Sequence, residues 1–207
     1  MAVTGAARRP GQVFTRALWH DNPIFRQVLG ICSTLAVTNL VANTLVMCAG
    51  LTFVTVLSSA TVSALRSVTP RRVRMMVQTL IIASYVIVVD VFLKAYLPEM
   101  SKALGPYVGL IITNCIIMGR CEAFASNNTV KASLIDGLGS GLGYSLVLLA
   151  IAIVRELAGF GTLLGYRVFG QWWLSWTIMV MPAGAFFVLG LFIWLARWAQ
   201  PQQGSKP

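Results

Sequence analysis

Charge is scarce in this sequence. Only 11% of its 207 residues are charged and only six are acidic, against 57% hydrophobic, so a water-soluble fold would lack the polar surface to cover itself. Histidine is nearly absent: His20 stands alone before the first apolar tract, with no metal partner in view. The four cysteines, Cys32, Cys48, Cys115 and Cys121, form no CxxC pair, which excludes the spacing of a soluble zinc or ferredoxin site. No nicotinamide or flavin fingerprint occurs. The run Gly137, Gly139, Gly141 and Gly143 has neither the lysine nor the preceding strand of a nucleotide loop, and reads instead as close helix packing. The first 26 residues carry Arg8, Arg9, Arg16 and Arg26 without an apolar core, so no cleavable signal peptide is expected ahead of the first span.

What the sequence does have is long uncharged tracts, and mean hydropathy is +0.77. A hydrocarbon layer roughly 30 Å thick takes about 20 apolar residues to cross as a helix. Gln27 to Leu65 is long enough for two spans, with Gly50 and the nearby Asn43 and Thr44 expected to mark the turn between them. Further spans are expected at about Val73 to Tyr96, Leu104 to Gly119, Gly137 to Val154 and Phe169 to Leu195, six in all. Placing both termini in the cytoplasm puts twelve of the sixteen Lys and Arg residues there, leaving Lys94, Lys102, Arg155 and Arg167 outside, as the positive-inside rule requires. The net charge of +10 therefore reports orientation and not a nucleic-acid partner. The expected organisation is a cytoplasmic arm (1–22), one transmembrane domain (23–199) and a cytoplasmic tail (200–207).

Two segments share a pattern. Leu29-Gly30 and Thr38-Asn39 recur 75 residues later as Leu104-Gly105 and Thr113-Asn114. Three crossings separate the copies, and an odd number inverts the second relative to the first. Ser33, Thr34, Thr38, Asn39 and Asn43, with Thr113 and Asn114, make both segments polar for helices in lipid. Unwound backbone buried in protein is the usual reason. The expected fold is an all-α membrane protein of six transmembrane helices, an inverted repeat of three plus three, with helices one and four interrupted.

Depth singles out two cysteines. Cys32 lies six residues after Arg26 and Cys115 five before Arg120, both arginines being assigned to the cytoplasmic face. At about 1.5 Å per residue each thiol sits roughly 7–9 Å inside that face. Two thiols at one level make half of a four-thiolate site, for an iron–sulfur cluster or for zinc. The other pair would come from Cys48 and Cys121 or from a partner built on the same plan; equally, cysteine packs in buried helices as a small hydrophobe.

Two carboxylates lie inside spans. Asp90 stands four residues before Lys94 on one helix face, where it is either a sodium ligand or half of a structural ion pair. Asp136, just before the glycine run, would cap the fifth helix or offer sodium access. Glu156 follows Arg155 and is expected to pair with it at the outer interface. Trp172, Trp173, Trp176, Trp194 and Trp198 bracket the sixth span as an aromatic belt.

The stretches LGICSTLAVTN (29–39), IIASYVIVVDVFLKAYLPEMSKAL (81–104), VGLIITNCIIMGRCEAFA (108–125) and LIDGLGSGLGYSLVL (134–148) resemble the D subunits of sodium-translocating NADH:quinone oxidoreductases, over about residues 22–165. The E subunits of Rnf ferredoxin:NAD oxidoreductases share the element formed here by Thr113, Asn114, Cys115, Arg120 and Glu122–Ala125. The VVD-x3-KAY run containing Asp90 and Lys94 is similar to the quinone-reductase branch. The resemblance implies an electron-transfer subunit of a six-subunit complex in the bacterial inner membrane. It also implies a homologous, oppositely oriented partner subunit and a [2Fe-2S] cluster shared between the two. Cys32 and Cys115 match the family's ligand positions; Cys48 and Cys121 match none and read as packing residues. NADH, FAD and FMN would belong to other subunits, so this chain carries no complete active site. A small secondary transporter of inverted-repeat type is the competing class, with Asp90 as its ion carrier.

Overall fold

A computed structural model of the chain describes residues 29–70, 72–96, 98–163, 166–167 and 181–199. The expected arm and tail, His20, Trp172, Trp173, Trp176, and the parts of spans one and six before residues 29 and 181 lie outside the described residues. The helices are α1 (Ile31–Val37), α2 (Val41–Leu65), α3 (Arg74–Tyr96), α4 (Pro98–Ile112), α5 (Cys115–Arg120), α6 (Val130–Gly159) and α7 (Pro182–Ala199), with a π-helical turn at Cys121–Ala125. Strands β1 (Thr162–Leu163) and β2 (Tyr166–Arg167) pair antiparallel, two residues each, the one departure from helix among the described elements. Among the described residues four stretches are long and apolar enough to cross a membrane: Val41–Leu65, Arg74–Tyr96, Tyr107–Ala125 and Val130–Gly159.

The first turn does not fall at Gly50. That residue lies inside α2, and the chain turns at Thr38–Leu40 instead. Breaking a helix in an apolar medium exposes backbone groups that need partners. Here side chains supply them: the Thr44 hydroxyl shares its one proton between the carbonyls of Val37 (3.0 Å) and Leu40 (2.8 Å), and the Thr38 hydroxyl donates back to Thr34. Glycine costs a helix only about 1 kcal/mol, less than buried unpaired backbone groups, so Gly50 stays helical.

The span expected at Leu104–Gly119 begins at Pro98, whose missing N–H suits the first helical turn, and is interrupted at Thr113–Asn114 before resuming at Cys115. Asn114 is extended (φ −67°, ψ 117°), and its Oδ1 accepts from the Ile116 N–H at 3.0 Å. The 75-residue match recurs as a break in each copy: a helix ends just before the Thr-Asn step, at Val37 and at Ile112, and the next opens just after it, at Val41 and at Cys115. The glycines of the pattern differ, Gly30 having φ +82° while Gly105 is an ordinary helical residue.

The fifth span is longer than expected, and α6 packs along α2 through its glycines. A Cβ on Gly137 would lie 3.2 Å from Val56 Cα, and one on Gly141 3.2 Å from Thr52 Cα. Absent side chains let two backbones meet, the small-residue packing that substitutes for hydrophobic drive within lipid. Leu51, Val54, Ile117, Tyr144 and Leu148 are fully buried around this contact. Apolar side chains of α3 and α7, among them Met76, Leu80, Phe92, Phe187, Trp194 and Trp198, face outward.

Candidate functional site

The two cysteines singled out by depth stand beside elements that touch. Cys32 is in the first turn of α1, two residues after Gly30, and Cys115 opens α5 directly after Asn114. Gly30 packs so closely on α5 that a Cβ there would sit 2.6 Å from Ile116 Cδ1. One residue along from each thiol, the Asn114 amide Nδ2 donates to Ser33 Oγ at 3.2 Å. Both thiols are exposed on the chain, whereas Cys48 and Cys121 are buried.

Behind the thiols lies Tyr144, fully buried at the middle of α6. Its hydroxyl is hydrogen-bonded to Ser33 Oγ and donates to the Gly30 carbonyl at 3.1 Å. That carbonyl also accepts from the Thr34 hydroxyl at 2.9 Å. Tyr144 is not among the residues that spacing or motif singles out. The available signal was a single phenol in a glycine-rich apolar span, since a buried tyrosine hydroxyl needs a partner.

Cys48 and Cys121 have packing surroundings. The Cys48 thiol faces the Ser145 carbonyl and the Cys121 thiol faces Ser58 Oγ, each at 3.8 Å. Among the described residues no group of three or more His, Cys, Asp or Glu side chains is arranged to hold a metal. The donor set next to the joined breaks is two thiols.

The carboxylates part company. Asp90 is engaged by Lys94 one turn on, Nζ to Oδ2 2.6 Å, on the outer side of α3. Asp136 does not cap α6, whose N-cap is Thr129; it lies within the helix, buried, with Arg120 Nη1 3.6 Å from its Oδ1. The α6 helix begins seven residues earlier than the expected Gly137, directly after the turn that ends at Thr129, which is extended at the N-cap position (φ −73°, ψ 155°).

Arg155 and Glu156 are not an interfacial pair. Both are fully buried and serve the turn between α1 and α2. Arg155 Nη1 donates to Thr38 Oγ1 (2.6 Å) at the C-terminus of α1, and Glu156 Oε2 accepts from the Val41 N–H (2.7 Å) that opens α2. A cation at a helix C-terminus and an anion at an N-terminus each oppose the local partial charge. Adjacent residues on α6 thus satisfy both ends of one break. Glu122, from the π-helical turn, meets Arg74 (3.4 Å) and Gln78 (2.8 Å) and ties this turn to α3.

Residues 11–193 match the family described as Rnf-Nqr subunit, membrane protein. The D subunit of the Na(+)-translocating NADH-quinone reductase of Pseudoalteromonas atlantica is 49% identical over 188 residues, 88% of this chain and 90% of that protein. The corresponding D subunits of Shewanella putrefaciens and Shewanella oneidensis are each 46% identical over 202 residues, 95% of this chain and 96% of theirs. The chain belongs to the Rnf-Nqr family of membrane subunits.

Proposed function

We propose that this chain is the D-type electron-transfer subunit of a sodium-translocating NADH:quinone oxidoreductase in the bacterial inner membrane. In this reading it crosses the membrane six times, as two inverted units of three with both termini cytoplasmic. Cys32 and Cys115 provide two of the four ligands of a [2Fe-2S] cluster, and a homologous, oppositely oriented subunit provides the rest. NADH, FAD and FMN belong to other subunits.

The observation that carries this reading is the direct contact between the Gly30–Ser33 and Asn114–Ile116 segments, which brings both thiol-bearing helix starts together and leaves both thiols exposed. Two donors fit half of a four-thiolate set, and their exposure fits completion by a partner. When bound, the cluster supplies one-electron carriage across the middle of the membrane. The chain's own contribution is positional. Gly30 lets α1 approach Ile116, Asn114 caps α5, and the buried α6 behind them excludes water from that side. Asp136 is favoured over Asp90 for sodium because it is buried on α6 with Ser133 and Ser140 one turn to either side; each carboxylate also has a cation beside it, Arg120 at 3.6 Å from Asp136 and Lys94 at 2.6 Å from Asp90.

Purified complex carrying Cys32→Ala or Cys115→Ala is expected to lose one iron–sulfur EPR signal and about two irons per complex, the content of a [2Fe-2S] cluster. Retention of every signal in both variants would sink the assignment. Asp136→Asn is expected to raise the sodium concentration needed for half-maximal NADH oxidation while Asp90→Asn leaves it unchanged; the reverse outcome would reassign the carboxylates. The Rnf-type ferredoxin:NAD oxidoreductase is the second reading, and the VVD-x3-KAY run at Asp90 and Lys94 weighs against it. A secondary transporter gives the exposed thiol pair nothing to do.

A further inference from the structure

The hydrogen bonds behind the two thiols form one connected network. Asn114 Nδ2 has protons only to give, and one goes to Ser33 Oγ (3.2 Å). Ser33 Oγ and the Tyr144 hydroxyl are hydrogen-bonded to each other, and both reach the Gly30 carbonyl, Ser33 at 3.2 Å and Tyr144 at 3.1 Å. Asn114 meanwhile spends its Oδ1 on the Ile116 N–H, the cap of α5. One side chain therefore caps the helix that begins with Cys115 and grips the helix that carries Cys32. Tyr144, anchored in the α2–α6 core, pins the other end of the network to the backbone two residues before Cys32.

We propose that Tyr144, acting through Ser33 and Asn114, is a positioning residue that sets the separation of Cys32 and Cys115. The proposal rests on the reading of those cysteines as ligands only for its consequence, the geometry of the bound group; the separation itself is a property of this chain. Two features make Tyr144 suited to this and not merely a filler. Its ring occupies the space in front of Gly30, where a Cβ would come within 2.8 Å of Cε2, so it fixes how near α1 can approach. Its hydroxyl reaches the Gly30 carbonyl, which also accepts from Thr34 of α1. Ring and hydroxyl thus both bear on Gly30.

Tyr144→Phe keeps the ring and removes the link. In the full chain, purified without partner subunits and labelled with nitroxides on the exposed Cys32 and Cys115, dipolar EPR is expected to read a broader and shifted distance distribution for Tyr144→Phe than for the native chain. Ser33→Ala should do the same, and the double variant should broaden by less than the sum of the two, because both single variants lose the Ser33–Tyr144 link. In the assembled complex Tyr144→Phe is expected to keep its full iron content while the EPR line shape and midpoint potential of one cluster shift. Unchanged distances in both single variants would overturn the proposal, as would a double variant whose broadening is the sum of the two. Loss of the ligand assignment shows separately: iron retained in the Cys32→Ala and Cys115→Ala complexes refutes the ligand reading but leaves the distance measurement standing.

Discussion

Replacing Gly30 by alanine tests the joined breaks directly. Gly30 has φ +82°, where a Cβ costs about 1–2 kcal/mol. The same Cβ would lie 2.6 Å from Ile116 Cδ1 and 2.8 Å from Tyr144 Cε2, both on buried side chains. Overpacking of this kind costs about 1–3 kcal/mol. The sum, about 2–5 kcal/mol, corresponds to an apparent Tm lower by roughly 6–15 °C at ~3 °C per kcal/mol for a chain of this length. The contact can be separated from the backbone strain. Ile116→Val deletes the Cδ1 atom that the new methyl meets, at a cost of about 0.5–1.5 kcal/mol alone. In the Gly30→Ala background the same deletion relieves the closest clash, so the double variant should be more stable than the two single effects predict, by about 1 kcal/mol. Thermal unfolding of the detergent-solubilised complex, followed by tryptophan fluorescence, measures all four corners of the cycle. Strict additivity would refute the packing of Gly30 on Ile116 and with it the approach of the two cysteine-bearing helix starts.

Three other outcomes follow from the same geometry. Gly141→Ala places a methyl 3.0 Å from Thr52 Cγ2 and 3.2 Å from its Cα, forcing α2 and α6 apart at about 1–3 kcal/mol, whereas Gly109→Ala, with nothing within 4 Å, should match or exceed native thermal stability. Maleimide should label Cys32 and Cys115 of the purified chain quickly and leave Cys48 and Cys121 unmodified until it unfolds, read by intact-mass spectrometry; rapid labelling of the buried pair would contradict the packing. Glu156→Gln keeps an acceptor for the Val41 N–H while Glu156→Leu leaves it unpaired in the core, so the leucine variant should be less stable by about 1–3 kcal/mol, seen as a lower Tm.

Several features were legible because they depend on composition and spacing alone. Mean hydropathy and uncharged tract lengths identify a membrane chain, since the solvent an apolar surface requires does not depend on its neighbours. The lysine four residues after Asp90 located its ion pair, a contact set by helical periodicity. The small residues of α6 announced a close helix approach, and the polar Thr113-Asn114 step announced the interruption before Cys115. Other features depend on residues far apart in the chain. The turn at Thr38–Leu40, and not Gly50, is met by residues more than a hundred positions away: Glu156 accepts from the Val41 N–H that opens α2, and Arg155 donates to the Thr38 hydroxyl. Asp136 left its expected cap as well: Thr129 starts α6 earlier, and the buried Arg120 lies beside the carboxylate.

The sequence by itself thus determined the solvent and the interruption before Cys115, since each follows from local chemistry. That Gly30 meets Ile116, and that one asparagine serves both helix starts, was decided only by tertiary structure. Close approach of two backbones depends on the space left by a missing Cβ, and no spacing along the chain records which segment fills it.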